Sequence, residues 1–316
     1  MLAKNDLGSR VVVRRRAGTH GDRQLFTDVL GELTAVGDTS LTVATSHGLV
    51  VVPLAEVHRA KVVPARRGPT ARETAALELA AADAWPPPAV EMLGTWRLRA
   101  AGGYTGRANS ALPVGDPGMP LPEALDAVID FYRRQGLPPQ VDVPLPLAAG
   151  VERELLKDGW HAECTVEVQV CPLPELIAAT PDGAGFALND APSPEFLAMI
   201  AGTRGELPEA ALHVLTAVPD LVFAQRFDAD GTLLARARGS ITGEGRWLGV
   251  FGVETSPAAR RRGLAREAMG VLARWAAGRG ATDVFLQVES RNTAALALYA
   301  DLGFTRHHHY TRYQLR

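Results

Sequence analysis

A chain of 316 residues is too long for one ordinary domain and fits two or three. Its 47% hydrophobic and 22% charged residues are those of a globular protein, which excludes wholesale disorder and a membrane bundle. With 33 Lys and Arg against 35 Asp and Glu, the formal net charge of −2 argues against charge-driven coating of nucleic acid, though not against a local basic patch.

Up to about Pro64, four short β-type runs are visible: Val11-Val-Val-Arg14, Leu30–Thr34, Ser40–Ala44 and Leu49–Val52. Gly18, Gly21, Gly37-Asp38 and His47-Gly48 punctuate them. Strands this short and close together predict a small antiparallel barrel of SH3-like size over residues 1–66. Arg14-Arg-Arg16 on the first strand could bind nucleic acid or peptide, but solvated arginines on alternating faces explain it more simply. Pro64-Ala-Arg-Arg-Gly-Pro69 reads as a linker.

A second segment spans 72–172. An Ala/Leu/Glu-rich helix runs from Ala71 to Ala84 and is stopped by Pro86-Pro-Pro88. Strands follow near Met92–Ala100 and Arg107–Leu112. A helix from Pro122 to Gln135 ends at Gly136, as a helix C-terminus does. Strand Gln140–Val143, helix Ala148–Lys157 and strand His161–Val170 complete the segment, and Pro172, Pro174 and Pro181-Asp-Gly183 form a second linker. A Gly102-Gly103 turn precedes Arg107-Ala-Asn-Ser110, whose default reading is a turn with a satisfied Asn, although it could reach a cleft.

The third segment, 184–316, repeats that order with sharper definition. Helices are expected near Pro194–Gly202 and Pro208–Val218, then strands Leu221–Phe227, Leu233–Ile241 and Arg246–Val253. Helix Leu264–Gly278, strand Asp283–Val288, helix Thr293–Asp301 and a terminal strand pair within Thr305–Leu315 follow. Gly136 and Gly280 end the longer helices; Gly159-Trp160 and Gly303-Phe304 end the shorter ones. One offset relates both pairs, which suggests an internal duplication.

The densest chemistry is Val253-Glu-Thr-Ser-Pro-Ala-Ala-Arg260-Arg-Arg-Gly263-Leu-Ala265, a strand running into a turn that opens a helix. Small residues at Gly263 and Ala265 allow close approach to the backbone. The free amides and positive dipole end of the helix point at that approach. Arg260, Arg261 and Arg262 crowd an end where cations are disfavoured, which makes sense if an anion such as a pyrophosphate sits there. The other account is a solvated charged helix start.

Arg260-x-x-Gly263-x-Ala265 resembles the acetyl-CoA loop of GCN5-related N-acetyltransferases (GNATs). Asn292-Thr-Ala-Ala295-Leu-Ala-Leu-Tyr299-Ala-Asp-Leu-Gly303-Phe304 resembles the second CoA motif of that family. The resemblance covers about Gly185 to Arg316 and implies an α/β (α+β) GNAT fold, with a mixed central sheet flanked by helices. It implies acetyl-CoA as co-substrate, no metal, and a splay between the strands ending at Val253 and Val288. Phe251, Gly252 and Val253 would pair with the pantetheine arm. Arg260, Arg261, Arg262, Gly263, Leu264 and Ala265 would hold the pyrophosphate, and Asn292 and Ala295 would line the channel. Tyr299 occupies the family's general-acid position, its alternative being a core aromatic beside Leu296, Leu298 and Leu302. Acetyl transfer needs a neutral amine and a proton for the departing thiolate. Glu254 is the candidate base and Glu289 the runner-up, each also readable as an ordinary surface or capping carboxylate, and many family members pass the proton through water.

Applying the duplication offset, Arg260 maps to Asp116, Gly263 to Met119, Ala265 to Leu121 and Tyr299 to Leu155. A carboxylate and prolines in Val114-Gly-Asp-Pro-Gly-Met-Pro120 would repel a pyrophosphate and remove N–H donors. Residues 72–172 therefore read as a degenerate GNAT copy that packs or shapes the cleft, and 184–316 as the catalytic one. The layout resembles a high-GC bacterial subgroup with an N-terminal SH3-like barrel and tandem units, including a mycobacterial member of histone-acetyltransferase type. Mycothiol synthase is also tandem but lacks the barrel.

The expected activity is acetyl transfer to a primary amine of a small molecule or a protein, at a lysine or N-terminus. The rivals are a non-catalytic acyl-CoA sensor or adaptor, and a mycothiol-synthase-like enzyme. Cys164 and Cys171, seven residues apart on a strand, point to opposite faces, which disfavours a disulfide scaffold or thiolate metal site and fits a reducing compartment. Met1-Leu-Ala-Lys-Asn-Asp6 has no apolar signal region, and no apolar run is bilayer-length, so a cytoplasmic protein is expected. His307-His-His309 lies on a strand, where alternation keeps three neighbours from converging on one ion. Trp247 and Trp275 read as core or cleft-wall aromatics.

Overall fold

The computed structural model describes residues 2–20, 23–45, 48–63 and 68–315. Most of the linker expected over 64–69, with Gly21 and His47, lies outside them. The chain divides into two compact units, one up to residue 68 and one from residue 69 on.

The first unit is a five-stranded antiparallel sheet of β1 (Arg10–His20), β2 (Arg23–Val36), β3 (Ser40–Thr45), β4 (Gly48–Pro53) and β5 (Val57–Val62). Its order is β4-β3-β2-β1-β5, with a single 3₁₀ turn, Leu54–Glu56, between β4 and β5. Period-two alternation puts Val11, Val13, Leu33, Leu41, Val43 and Val52 wholly inside. Beyond the four expected strands there is a fifth: Val57-His-Arg-Ala-Lys-Val62 carries little apolar patterning, and its pairing with β1 decides it. Arg14 faces outward and bonds Asp28, its cross-strand neighbour, through two contacts of 2.8 and 2.9 Å. An exposed pair of this kind contributes little to stability.

The second unit begins with α1 (Ala71–Asp83), where Thr70 and Glu73 form a capping box. The hairpin β6 (Ala89–Leu93) and β7 (Trp96–Ala100), a 3₁₀ turn Gly106–Asn109, α2 (Leu121–Arg134), β8 (Gln140–Leu145), α3 (Ala149–Lys157) and β9 (His161–Pro172) follow. Then come α4 (Leu173–Ala178), β10 (Ala187–Asn189), α5 (Pro194–Arg204), α6 (Ala210–Thr216), β11 (Leu221–Phe227), β12 (Leu233–Thr242) and β13 (Trp247–Thr255). The chain ends with α7 (Leu264–Ala277), β14 (Asp283–Glu289), α8 (Thr293–Asp301) and β15 (Thr305–Gln314). Among the described residues, no helix is long and apolar enough to cross a membrane.

Four local expectations are corrected, the first being the strand near Arg107–Leu112, where Gly106–Asn109 form a 3₁₀ turn followed only by isolated bridges. The strand expected near Met92–Ala100 is the β6–β7 hairpin, because Gly94 turns the chain at a φ of +56°. The second linker contains α4, which buries Leu173 and Leu176. The terminal strand pair is the single strand β15, since no Gly or Pro interrupts Thr305–Gln314.

The neighbours of β15 come instead from earlier in the chain. The main sheet has the order β10-β11-β12-β13-β14-β9-β15-β8. Residues Asp283–Glu289 lie antiparallel to Pro172–Val166, and Gln140–Leu145 lie antiparallel to Gln314–His309. Each copy thus pairs its last strand with the other copy's preceding strand, and β9 and β15 pair at the middle. The duplication has become a reciprocal strand exchange inside one continuous sheet.

Helices α1, α5 and α6 cover one face over Leu77, Phe196, Val214, Phe251 and Phe285. Helices α4, α7 and α8 cover the other over Leu176, Leu272, Val250 and Leu302. Cys164 packs against the first core and Cys171 lies within the second, so the two are free thiols on opposite faces. For His307–His309 simple alternation fails. The β15–β9 register slips between Arg306 and His308, a bulge at His307. His307 Nδ1 therefore comes within 2.8 Å of His308 Nδ1, and His308 Nε2 meets the buried Glu78 at 2.6 Å.

Candidate functional site

The site begins where two parallel strands part. β13 and β14 are paired from Trp247 with Asp283 up to Val250 with Leu286, and no further, although β13 continues to Thr255 and β14 to Glu289. The cause lies on the other edge of β13. Between its pairings with Arg238 and Arg236, β13 carries Gly252 and Val253 opposite the single residue Ala237, a bulge. Gly252 takes a φ of +59° there, and a Cβ at that position would meet Arg236 Nη1 at 2.8 Å. Arg236 Nη1 donates to the Gly252 carbonyl at 3.1 Å, and its Nη2 binds the Glu254 carboxylate. The bulge bends β13 away from β14 and leaves backbone groups of Phe251–Thr255 without a strand partner on that side.

A cavity of about 710 Å³ opens at this splay. Phe251, Gly252, Val253, Glu254, Glu289, Asn292, Ala295 and Tyr299 all line it. Sequence motifs far apart in the chain thus meet on one surface. Tyr299 is 9% exposed and tilted against Phe304. Burial raises its phenol to about 12, so the proton stays on oxygen through the neutral range. Asn292 also caps α8, its Oδ1 accepting from the Ala295 amide at 3.1 Å. Glu254 accepts a hydrogen bond from Thr203 Oγ1 of α5 at 2.8 Å on one oxygen and pairs with Arg236 on the other. Glu289 is paired with Arg291.

Arg260 to Ala265 lie outside the lining of this cavity: Arg260 to Gly263 form an exposed turn, and Leu264, which is buried, and Ala265 open α7. The first helical bond there runs from the Glu267 amide to the Gly263 carbonyl, so the amides of Gly263 to Arg266 precede the helical ladder. Arg261 sits at φ +60° and Gly263 at φ +80°, with Arg262 between them on the ordinary side. Such alternation turns successive amides toward one concave surface, an arrangement suited to anions. Among the described residues, no carboxylate pairs with Arg260, Arg261 or Arg262, and all three are exposed. Three uncompensated cations beside free amides at a positive helix end fit a diphosphate. The unpaired edge of Phe251–Thr255 fits an extended amide-bearing arm.

The first copy lacks these features. Asp116 Oδ1 accepts from the Gly118 amide at 2.8 Å, Thr95 Oγ1 takes the Asp116 amide at 2.8 Å, and Pro120 precedes α2. Met119 lies in that turn, Leu121 opens α2 and Leu155 is core. Where the second copy pairs β13 with β14, the first copy has a single isolated parallel bridge between Ala111 and Val141.

The first copy does contribute to the cavity. Trp85 and Tyr104–Arg107 line it, together with Arg236, Arg238, Tyr310 and Arg312. Of these only Arg107 carried an expectation from the sequence, in the Arg107–Ser110 stretch that could reach a cleft. Asn109 is satisfied as expected: its Oδ1 accepts from Ala101 and Gly103 amides, and its Nδ2 donates to the Tyr104 and Thr105 carbonyls. Those bonds shape the loop that carries Arg107 into the cavity. A signal for Arg236 and Arg238 was present in Leu233-Leu-Ala-Arg-Ala-Arg-Gly-Ser-Ile241, where arginines two apart share one face of a buried strand.

Residues 71–314 match the family described as "Probable histone acetyltransferase Rv0428c C-terminal", and residues 5–66 match the Rv0428c N-terminal Sm-like domain. The chain is 31% identical over 98% of its length to a protein of Mycobacterium tuberculosis (strain ATCC 25618 / H37Rv) named probable histone acetyltransferase Rv0428c, covering 95% of that protein. It is 28% identical over 74% of its length to the Bacillus subtilis (strain 168) protein named uncharacterized N-acetyltransferase YobR, covering 96% of it. Among solved structures, a GCN5-related N-acetyltransferase from Kribbella flavida superposes with a TM-score of 0.58 at 19% identity, over 79% of this chain and 96% of that one.

Proposed function

This chain belongs to the Rv0428c-type acetyltransferases, an acyltransferase of GNAT fold behind an Sm-like domain, and from that premise we propose that it moves an acetyl group from acetyl-CoA to a primary amine. The acceptor amine belongs to a small molecule or to a protein, at a lysine or N-terminus. The observation that carries this reading is the parting of β13 and β14 beyond Val250 and Leu286, with Tyr299 beside the gap and the bare amides of Gly263 to Arg266 at the head of α7.

The bound co-substrate supplies an activated thioester. Arg260, Arg261 and Arg262, with the amides of Gly263, Leu264 and Ala265, hold the diphosphate. The exposed edge of Phe251, Gly252 and Val253 aligns the arm, and Asn292 and Ala295 wall the channel. An amide near Val253 polarises the carbonyl under attack, where a fixed donor is worth most. Glu254 faces the acceptor side and takes the amine proton, directly or through water. Tyr299 holds a proton on its oxygen for the departing sulfur.

Thiol release with acetyl-CoA and a panel of amines tests the reading. Binding of coenzyme A without any turnover would leave a sensor in its place. A second measurement isolates the anion site. In the double variant Arg261→Ala/Arg262→Ala, coenzyme A affinity is expected to fall on the order of 10–100-fold by calorimetry, the range for losing hydrogen bonds to a charged group. Thermal stability should not change, since neither side chain is buried or paired. Unchanged affinity would remove this loop from the binding site.

A further inference from the structure

We propose that the acceptor is an amine that also carries a carboxylate, and that Arg107 of the first copy, with Arg238 of β12, recognises that anion. This rests on the acetyl-transfer reading above and names the substrate class for it. The argument is a count of charges around one cavity. Five arginines line it: Arg107, Arg236, Arg238, Arg291 and Arg312. Three have carboxylate partners, Arg236 with Glu254, Arg291 with Glu289, and Arg312 with Asp142. Two do not.

Arg238 is 1% exposed, and among the described residues no carboxylate pairs with it. Its Nε donates to the Leu215 carbonyl at 2.7 Å and its Nη1 to the Ala84 carbonyl at 3.1 Å, while Nη2 is buried without a partner. Burial lowers the guanidinium to about 9, which still leaves it protonated at neutral pH. Arg107 is half-buried, and its Nε is buried without a partner. Both guanidinium groups lie over the same stacked aromatic pair, Trp85 and Phe251: Arg107 at 6.0 and 5.4 Å, Arg238 at 5.2 and 5.4 Å from the ring centroids. Aromatic faces soften a buried cation but do not neutralise it.

These two charges belong to the acceptor side of the cavity. Trp85 and Phe251 sit in the core under α1, α5 and α6, the face of the sheet opposite α7 and its anion-fitting turn. The diphosphate and the two orphan arginines are therefore separated by the sheet. A buried, uncompensated cation is costly, and a ligand anion that completes it gains charge-assisted hydrogen bonds. The same field repels an approaching polycation. A lysine-rich protein tail would bring positive charge to a wall that already carries an excess of it.

The test uses the full-length protein, acetyl-CoA and matched acceptor pairs that differ only in carboxylate against carboxamide: glycine and glycinamide, 5-aminovalerate and 5-aminovaleramide, phenylalanine and phenylalaninamide. A lysine-rich peptide is run beside them. For at least one pair, kcat/KM is expected to favour the carboxylate on the order of 10–100-fold. Arg107→Gln should collapse that ratio toward one, mainly through KM of the acceptor, while leaving coenzyme A affinity unchanged. Equal rates within every pair, a preference for the lysine-rich peptide, or an Arg107→Gln variant that slows both members of a pair alike would each overturn this inference and leave acetyl transfer standing. Absence of turnover with every amine would take down the acetyl-transfer reading and this one with it.

Discussion

Asp142→Ala is expected to destabilise the second unit by about 3–5 kcal/mol, the cost of breaking a buried ion pair from one side. Asp142 is 2% exposed. Arg312 grips it with two bonds, Nε to Oδ1 at 2.7 Å and Nη2 to Oδ2 at 2.8 Å, and Ser110 Oγ donates to Oδ2 at 2.8 Å. Arg99, 3% exposed, stands 3.6 Å away, with its Nε and Nη2 spent on the Ser110 carbonyl and hydroxyl. For Arg312, burial opposes the charge but Asp142 outweighs it, and the guanidinium is held well above its usual range. For Arg99 burial prevails over the pull of Asp142, and its affinity for protons falls. Deleting the carboxylate therefore leaves two buried guanidinium groups without a counter-charge. The pair also spans the strand exchange, Asp142 on β8 and Arg312 opposite it on β15, so the loss falls on the seam between the copies. Urea unfolding would show a lowered midpoint with an unchanged slope. A shift below about 1 kcal/mol would mean that water replaces the carboxylate at little cost.

Tyr299→Phe is expected to lower kcat about 100-fold, the lower end of what a positioned general acid contributes. Coenzyme A affinity and the unfolding midpoint should barely move, because the ring stays in place against Phe304. The pH dependence follows from the direction of the shift. Burial raises the phenol to about 12, so the neutral, proton-donating form persists well above pH 10 and is lost only as pH climbs toward that value. The wild-type kcat should then show no alkaline limb from Tyr299 below roughly pH 11. A Phe variant with undiminished kcat would assign the proton to water and leave Tyr299 as a wall of the channel.

Much of the candidate site could be read from the chain because its parts are local. Arg260 to Ala265 is a strand-turn-helix junction, and a free helix end with small residues and excess cations is a local pattern suited to an anion. The spacing of Asn292, Ala295 and Tyr299 puts them along one face of α8, and the cavity receives all three. His307–His309 shows the limit of such periodic reasoning. Alternation presumes an unbroken ladder, and a one-residue slip beside β9 undoes it.

The sequence by itself determined the first unit's small β-sheet, most of the helices and strands in the second, the duplication and the cation-rich turn before α7. Each of these is written in hydrophobic period, in Gly and Pro punctuation, or in a contiguous motif. Only the tertiary structure decided which strands are neighbours. Nothing in Thr305–Gln314 states that it will pair with β8 and β9 rather than fold back on itself, because strand pairing is a contest between distant edges of similar chemistry. The same holds for the acceptor side. Arg107, Arg238 and Trp85 come from three separate elements, and only the closing of the sheet around them brings two unbalanced charges to one wall.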